Sequence, residues 1–216
     1  RSAGAARDKA AWEEETVDED RERVILVDED DVELGTAPKL ETHRAGRLHR
    51  ALSVVVRDSK GRFLLQKRYV GKYHSGGLWT NTCCSHPRPG EAVDAAASRR
   101  LAQEMGFSCP LLPLFSTAYR AELGNGLTEH EIVHVFGGLY AGPVRPDPSE
   151  ADGYAWVEPD WLRHDLGADP AAYSVWFRKY LLQHWQELMA PPAWERLRRP
   201  ARHDRHVADA HGARRS

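Results

Sequence analysis

Residues 79–106 read WTNTCCSHPRPGEAVDAAASRRLAQEMG, and the second half of this stretch settles what kind of fold surrounds the first. Pro89-Gly90 breaks the chain, and an acidic first turn opens at Glu91. Val93, Ala97, Leu101 and Met105 then recur on one stripe until Gly106 stops it. That spacing predicts a helix over Glu91–Met105 with one apolar face. Trp79–Pro87 is then a connection from a short apolar strand into a helix, the place in an α/β fold where functional groups gather.

Working outward, Val24–Asp28 and Ala51–Arg57 are β-branched runs of strand length, and Phe63–Arg68 follows the second across a hairpin-like turn at 58–61. Downstream, strands are expected at Phe115–Ala121, Glu131–Tyr140 and, briefly, Trp156–Glu158. A helix is expected from about Pro159, and a longer one over Ala172–Met189. The sum is an α/β fold, a mixed β-sheet sandwiched between helices.

A chain of 216 residues suits one hydrophobic core, placed at 23–194. Residues 1–22 are charged and poor in large aliphatics, which predicts a disordered arm; 195–216 predict a basic, disordered tail. No apolar run reaches the roughly 20 residues of a membrane span, and no secretory signal opens the chain. A net charge of -2 creates no field for nucleic acid, so any anion site has to be built locally. Three cysteines, two of them adjacent, fit free thiols in a reducing compartment, and a cytoplasmic location is expected.

Four groups of residues look chemical. Cys84 and His86 sit close enough for one loop to aim both inward, the thiol as an acid/base group and the imidazole as a ligand, although two buried cysteines and a turn histidine would read the same. In Thr128-Glu-His-Glu131 an extended backbone puts Glu129 and Glu131 on one face and His130 on the other. Two like charges sharing a side suggest a cation or a protonated partner, or else a solvated turn. His43 and His49, unremarkable alone, complete with His86, Glu129 and Glu131 a set suited to a borderline divalent ion. Finally, Lys39, Arg68, Lys72 and Arg100 could neutralise a diphosphate while Glu104 holds its Mg²⁺; equally, Arg100 and Glu104 could be a helix-surface ion pair.

Together, RLH at 47–49, WTNTCCSHP at 79–87, Arg99-Arg100 and Glu129-His-Glu131 resemble type I isopentenyl diphosphate isomerase, a family with the Nudix fold, over about Val24 to Trp185. The resemblance implies interconversion of isopentenyl and dimethylallyl diphosphate, with Cys84 and Glu131 catalytic and Tyr119 hydrogen-bonded to Glu131. It implies a metal, Mn²⁺, Zn²⁺ or Mg²⁺, on His43, His49, His86, Glu129 and Glu131, and Mg²⁺ on Glu104. Lys39, Arg68, Lys72 and Arg100 would bind the diphosphate and Trp176 would lie beside the hydrocarbon. Such an enzyme needs no flavin, and a monomer is expected. The Nudix hydrolases place several glutamates on the helix after the loop; here Arg100 and Gln103 replace two of them and Ser85 stands at the opening glycine. One remaining carboxylate, Glu104, cannot assemble a multi-metal hydrolytic centre, so a nucleotide pyrophosphohydrolase is the weaker alternative. An inert module with structural zinc would not need a thiol, a tyrosine and a diphosphate cradle together. The expected chemistry has Glu131 giving a proton to the alkene and Cys84, as thiolate, taking one from the opposite face, which requires nearby cations to favour the thiolate.

Overall fold

A computed structural model describes residues 22–198. The expected arm and tail fall outside it, except for Glu22 and residues 195–198. Among the described residues nine strands form one mixed sheet around β3 (His49–Arg57). β8 (Leu127–Leu139) runs parallel to β3 along its whole length, from His49↔Glu131 to Arg57↔Leu139. β7 (Leu111–Gly124) pairs antiparallel with β8. The other partners meet β3 in short stretches: β1 (Arg23–Val27) at His49, β6 (Cys83–Ser85) at 52–54, and β4 (Phe63–Arg68) at 56–57. β2 (Glu33–Pro38) extends the sheet beyond β1, while β5 (Trp79–Thr80) and β9 (Ala151–Val157) flank β4.

Alternation along β3 sends its side chains to two cores. Leu52, Val54 and Val56 pack with Cys83 and with Ala96, Ala97, Leu101 and Met105 of the helix Val93–Met105. Ala51 and Val55 pack on the opposite face with Leu162, Phe177, Tyr180 and Leu188, from Pro159–Ala168, Val175–Gln183 and Trp185–Met189. The sandwich expected from the sequence is therefore present, with the apolar stripe of the first helix facing the sheet. That helix starts two residues later than expected and closes on Gly106, whose φ of 72° suits glycine.

Three local features differ from the sequence reading. Residues 33–45 carried none, yet they form β2 and a seven-residue helix, Lys39–Ala45, ended by Gly46 in the left-handed region. So short a helix is below the window in which periodicity speaks. The long C-terminal helix is broken at His184, whose ring is held by Thr117 Oγ1 at 3.0 Å and stacks on Phe115. The chain instead continues as the separate helices Trp185–Met189 and Pro191–Arg198, so residues 195–198 are helical rather than tail. The loop expected over 79–87 is largely strand. Asn81 and Thr82, both buried, substitute for ladder bonds there: Asn81 donates to the Val54 and Cys83 carbonyls, and Thr82 accepts from Val56 N–H while donating to the Leu64 carbonyl. This wedge between β3 and β4 puts CCS in register with β3. Cys83 is thereby sent to the helix-covered core and Cys84 to the other face.

Candidate active site

A cavity of about 1070 Å³ opens over the face of the sheet to which Cys84 points. It is lined by Cys84, His86, Tyr119, Glu129, Glu131 and Trp176, and by Lys39, Arg68, Lys72 and Arg100 at its charged end. Register explains the convergence, because the parallel pairing of β3 and β8 sets His49 beside Glu131 and the β7–β8 hairpin sets Tyr119 across from it.

Tyr119 O–H donates to Glu131 Oε2 at 2.8 Å. Burial raises the Glu131 carboxyl, but His49, Glu129 and His43 together outweigh it and the group sits below its ordinary range, ionised at neutral pH. Cys84 has the opposite balance. Burial pushes its thiol up to about 12, against the Ser53 hydroxyl 3.4 Å away. Sγ–H donates to Asn81 Oδ1 at 3.0 Å; since the Asn81 amide nitrogen is committed to two backbone carbonyls, its oxygen is the end that faces the sulfur. Without a bound cation the proton therefore rests on sulfur and not on the carboxylate, so a thiolate at Cys84 depends on added positive charge. The Arg68 guanidinium lowers the thiol but does not offset its desolvation.

The histidines are fixed by their far nitrogens. His43 Nδ1 lies 2.7 Å from the Lys39 carbonyl and His49 Nδ1 lies 2.9 Å from that of Arg47, so both Nδ1 atoms carry the proton and the Nε2 lone pairs point inward. His49 Nε2 and His86 Nε2 face each other at 3.2 Å, and Glu131 Oε1 is 3.0 Å from the latter. His43 Nε2 and Glu129 Oε2, 3.3 Å apart, are buried without a hydrogen bond, as is His86 Nδ1. Converging lone pairs and orphaned buried atoms of this kind are satisfied by a cation, and His43, His49, His86 and Glu131 offer four ligand atoms within 4.8 Å of one another. These residues fit a divalent metal. Glu129 does not fall in that group; it joins His43 and His74 in a second, overlapping one. Nothing in the sequence singled out His74, which sits three residues beyond a glycine in a loop of unreadable period.

The phosphate end differs from expectation in its partners. Lys39 pairs with Glu22 at 2.8 Å, and Lys72 and Arg100 share Glu150 at 3.1 and 2.9 Å. Glu22, expected in the arm, thus lines the cavity, with its carboxyl held down to about 2 by the Lys39 ammonium in spite of burial. Arg68 lies over the Trp176 ring, 5.2 Å from its centroid. Glu104 is 2% exposed and is not among the residues lining the cavity. Its oxygens take Arg100 at 2.8 Å and Gln66 at 3.0 Å, so Mg²⁺ at Glu104 would compete with these contacts. The ion-pair reading of Arg100 and Glu104 describes this arrangement, but buried in the sheet-facing side of the helix and not on its surface.

Fold and site together define an α/β sandwich with a thiol and a carboxylate in one cavity beside a His/Glu cluster. The NUDIX domain family model matches residues 47–178. Solved structures agree in fold alone: a protein of Deinococcus radiodurans superposes with a TM-score of 0.57 at 20% identity, covering 68% of this chain and 90% of that one. The MutT protein of Methanosarcina mazei gives 0.54 at 21%, covering 65% and 94%. Isopentenyl-diphosphate Delta-isomerase 1 of Aromatoleum aromaticum is 54% identical over 155 residues, 72% of this chain and 88% of the relative. Isopentenyl-diphosphate Delta-isomerase 2 of Photorhabdus laumondii is 46% identical over 175 residues, 78% and 99% of the two. The chain belongs to the Nudix family and, within it, to the isopentenyl-diphosphate Delta-isomerases. Among the described residues no helix is long and apolar enough to cross a membrane.

Proposed function

We propose that the protein interconverts isopentenyl and dimethylallyl diphosphate, using Cys84 and Glu131 as the acid–base pair. The observation that carries this is their placement on one cavity wall system, sulfur from β6 and carboxylate from β8, with Tyr119 donating to the latter. Protonation of the terminal methylene uses the alkene's π pair to form a C–H bond and leaves a tertiary cation. Loss of a proton from the carbon two positions away returns that C–H pair as the new double bond. An unactivated alkene needs the stronger acid, which is the carboxyl of Glu131, and the thiolate of Cys84 then receives the second proton. The reactive form thus has the same proton count as the site described above, with one proton moved from sulfur to carboxylate. Each turnover reverses the pair's protonation, and the proton exchanges back before the next.

Trp176 would stabilise the passing cation by about 2 kcal/mol or more when desolvated; its ring already faces the Arg68 guanidinium. Lys39, Arg68, Lys72 and Arg100 would exchange their contacts with Glu22, Glu150 and neighbouring groups for diphosphate oxygens. Mn²⁺, Zn²⁺ or Mg²⁺ held by His43, His49, His86 and Glu131, with Glu129 at its margin, would supply positive charge that makes the Glu131 carboxyl a stronger acid and favours the thiolate of Cys84. Mg²⁺ brought by the diphosphate would use Glu104 once Arg100 has turned to the phosphate.

The test is incubation with isopentenyl diphosphate and Mg²⁺ in deuterated water. Dimethylallyl diphosphate carrying deuterium is expected from the wild type, and Cys84→Ser should lose on the order of 10²- to 10⁴-fold in kcat. Near-full turnover of a folded Cys84→Ser protein would end the scheme. Phosphate release from nucleoside diphosphates would favour the hydrolase instead.

A further inference from the structure

The loop between β4 and β5 delivers a fourth histidine to the metal centre. His74 Nε2 lies 3.5 Å from Glu129 Oε1, while Glu129 Oε2 faces His43 Nε2 at 3.3 Å. One carboxylate is therefore approached by a different imidazole at each oxygen. The His74 ring lies against that of His43, with centroids 6.1 Å apart and planes 27° apart, and meets Trp176 edge-on.

The backbone is built to hold this ring. Ser75 adopts φ 53°, a left-handed conformation in a residue other than glycine, and its hydroxyl is 3.3 Å from His74 Nδ1. At Gly76 a Cβ would come within 2.4 Å of the Val70 carbonyl oxygen, so the tight return of the loop depends on that glycine. The same loop carries Lys72, and Arg68 Nη2 donates to the His74 carbonyl at 3.4 Å.

Two arrangements could use His74: a second cation, or an outer hydrogen bond to Glu129. His43 decides between them. Its Nδ1 carries the proton bound to the Lys39 carbonyl, so it has a single lone pair, at Nε2, to give to one ion. A second ion would be left with His74 and Glu129 alone, too few protein ligands for a structural or catalytic site.

We infer that His74 is a positioning residue of the metal centre: it donates Nε2–H to Glu129 Oε1 and turns the other carboxylate oxygen toward the ion held by the His43 cluster. Ser75 O–H donates to His74 Nδ1 and so fixes the tautomer that this requires. The inference rests on the proposed metal site and adds a residue outside the expected ligand set.

The test is calorimetric and visible-absorption titration of metal-stripped protein with Co²⁺, without substrate. Wild type should bind one ion. His74→Phe keeps the ring packing but loses the donor, and its affinity should fall on the order of 10- to 100-fold, with a changed Co²⁺ spectrum. His74→Gln keeps an N–H donor and should recover most of the affinity, and circular dichroism of the stripped proteins confirms that all three are folded. Wild-type affinity in His74→Phe would overturn the positioning role, and two ions bound to wild type would make His74 a ligand of a second site. Absence of stoichiometric binding by wild type would remove the metal-site reading itself, an outcome distinct from failure at His74 alone.

Discussion

In the metal-stripped protein the active-site sulfur should stay a thiol throughout the neutral range. Burial pushes Cys84 up to about 12 and Cys109 to about 11, and holds Cys83 well above its ordinary value. With sulfur near 12, thiolate at pH 7 lies about five pH units uphill, roughly 7 kcal/mol at 1.36 kcal/mol per unit. The sign for stability follows. A thiol whose folded pKa exceeds its unfolded one leaves the fold untouched below about pH 9. Above that, the unfolded state loses its proton first, costing roughly 1.4 kcal/mol near pH 10 and about 4 kcal/mol near pH 12. The assay is ultraviolet absorbance of thiolate near 240 nm against pH, on stripped protein and again after loading with Mn²⁺. The stripped protein should show no thiolate step between pH 6 and 9, and iodoacetamide should label Cys84 slowly over the same range. Mn²⁺ should move the first step downward. A thiolate step with a midpoint near pH 7 in the stripped protein would refute the argument, because it would mean that desolvation does not dominate at Cys84.

Other outcomes follow from single contacts. Tyr119→Phe removes one hydrogen bond to an ionised carboxylate, worth about 1.5–3 kcal/mol, and should lower kcat roughly 10- to 150-fold while calorimetry finds metal affinity little changed. Glu104→Gln leaves Arg100 with Glu150 as its remaining carboxylate partner. Loss of a buried ion pair predicts destabilisation of up to about 3–5 kcal/mol, less for the partial exposure of Arg100, read as a lower midpoint in urea. An unchanged midpoint would show that Glu104 is not held by that pair. Metal binding requires neutral imidazoles, and the His43 pKa is raised by Glu129 against its burial, so Co²⁺ affinity should weaken as pH falls from 7 to 5, with proton release on binding. Affinity flat over that range would place His43 outside the coordination sphere.

Much of the site was legible in residue order because the relevant signals are short and local. Period-two alternation placed Glu129 and Glu131 together with His130 opposed, and β8 has the two carboxylates buried and His130 half-buried. WTNTCCSHP separates into a structural part and a chemical part. Asn81 and Thr82 supply bonds the ladder lacks, and one residue of alternation then distinguishes the core-facing Cys83 from the cavity-facing Cys84.

Sequence alone determined the fold class, the family and the list of candidate site residues, since patterning and spacing are properties of neighbours along the chain. Tertiary structure decided which groups neutralise one another. Glu150 between Lys72 and Arg100, Gln66 against Glu104, Glu22 on Lys39 and His74 on Glu129 each join residues from different elements, and no local period encodes such meetings. It also decided where the proton rests. Desolvation depends on what the whole fold packs around a sulfur or a carboxylate, and that packing exists only once strands distant in sequence have come into register.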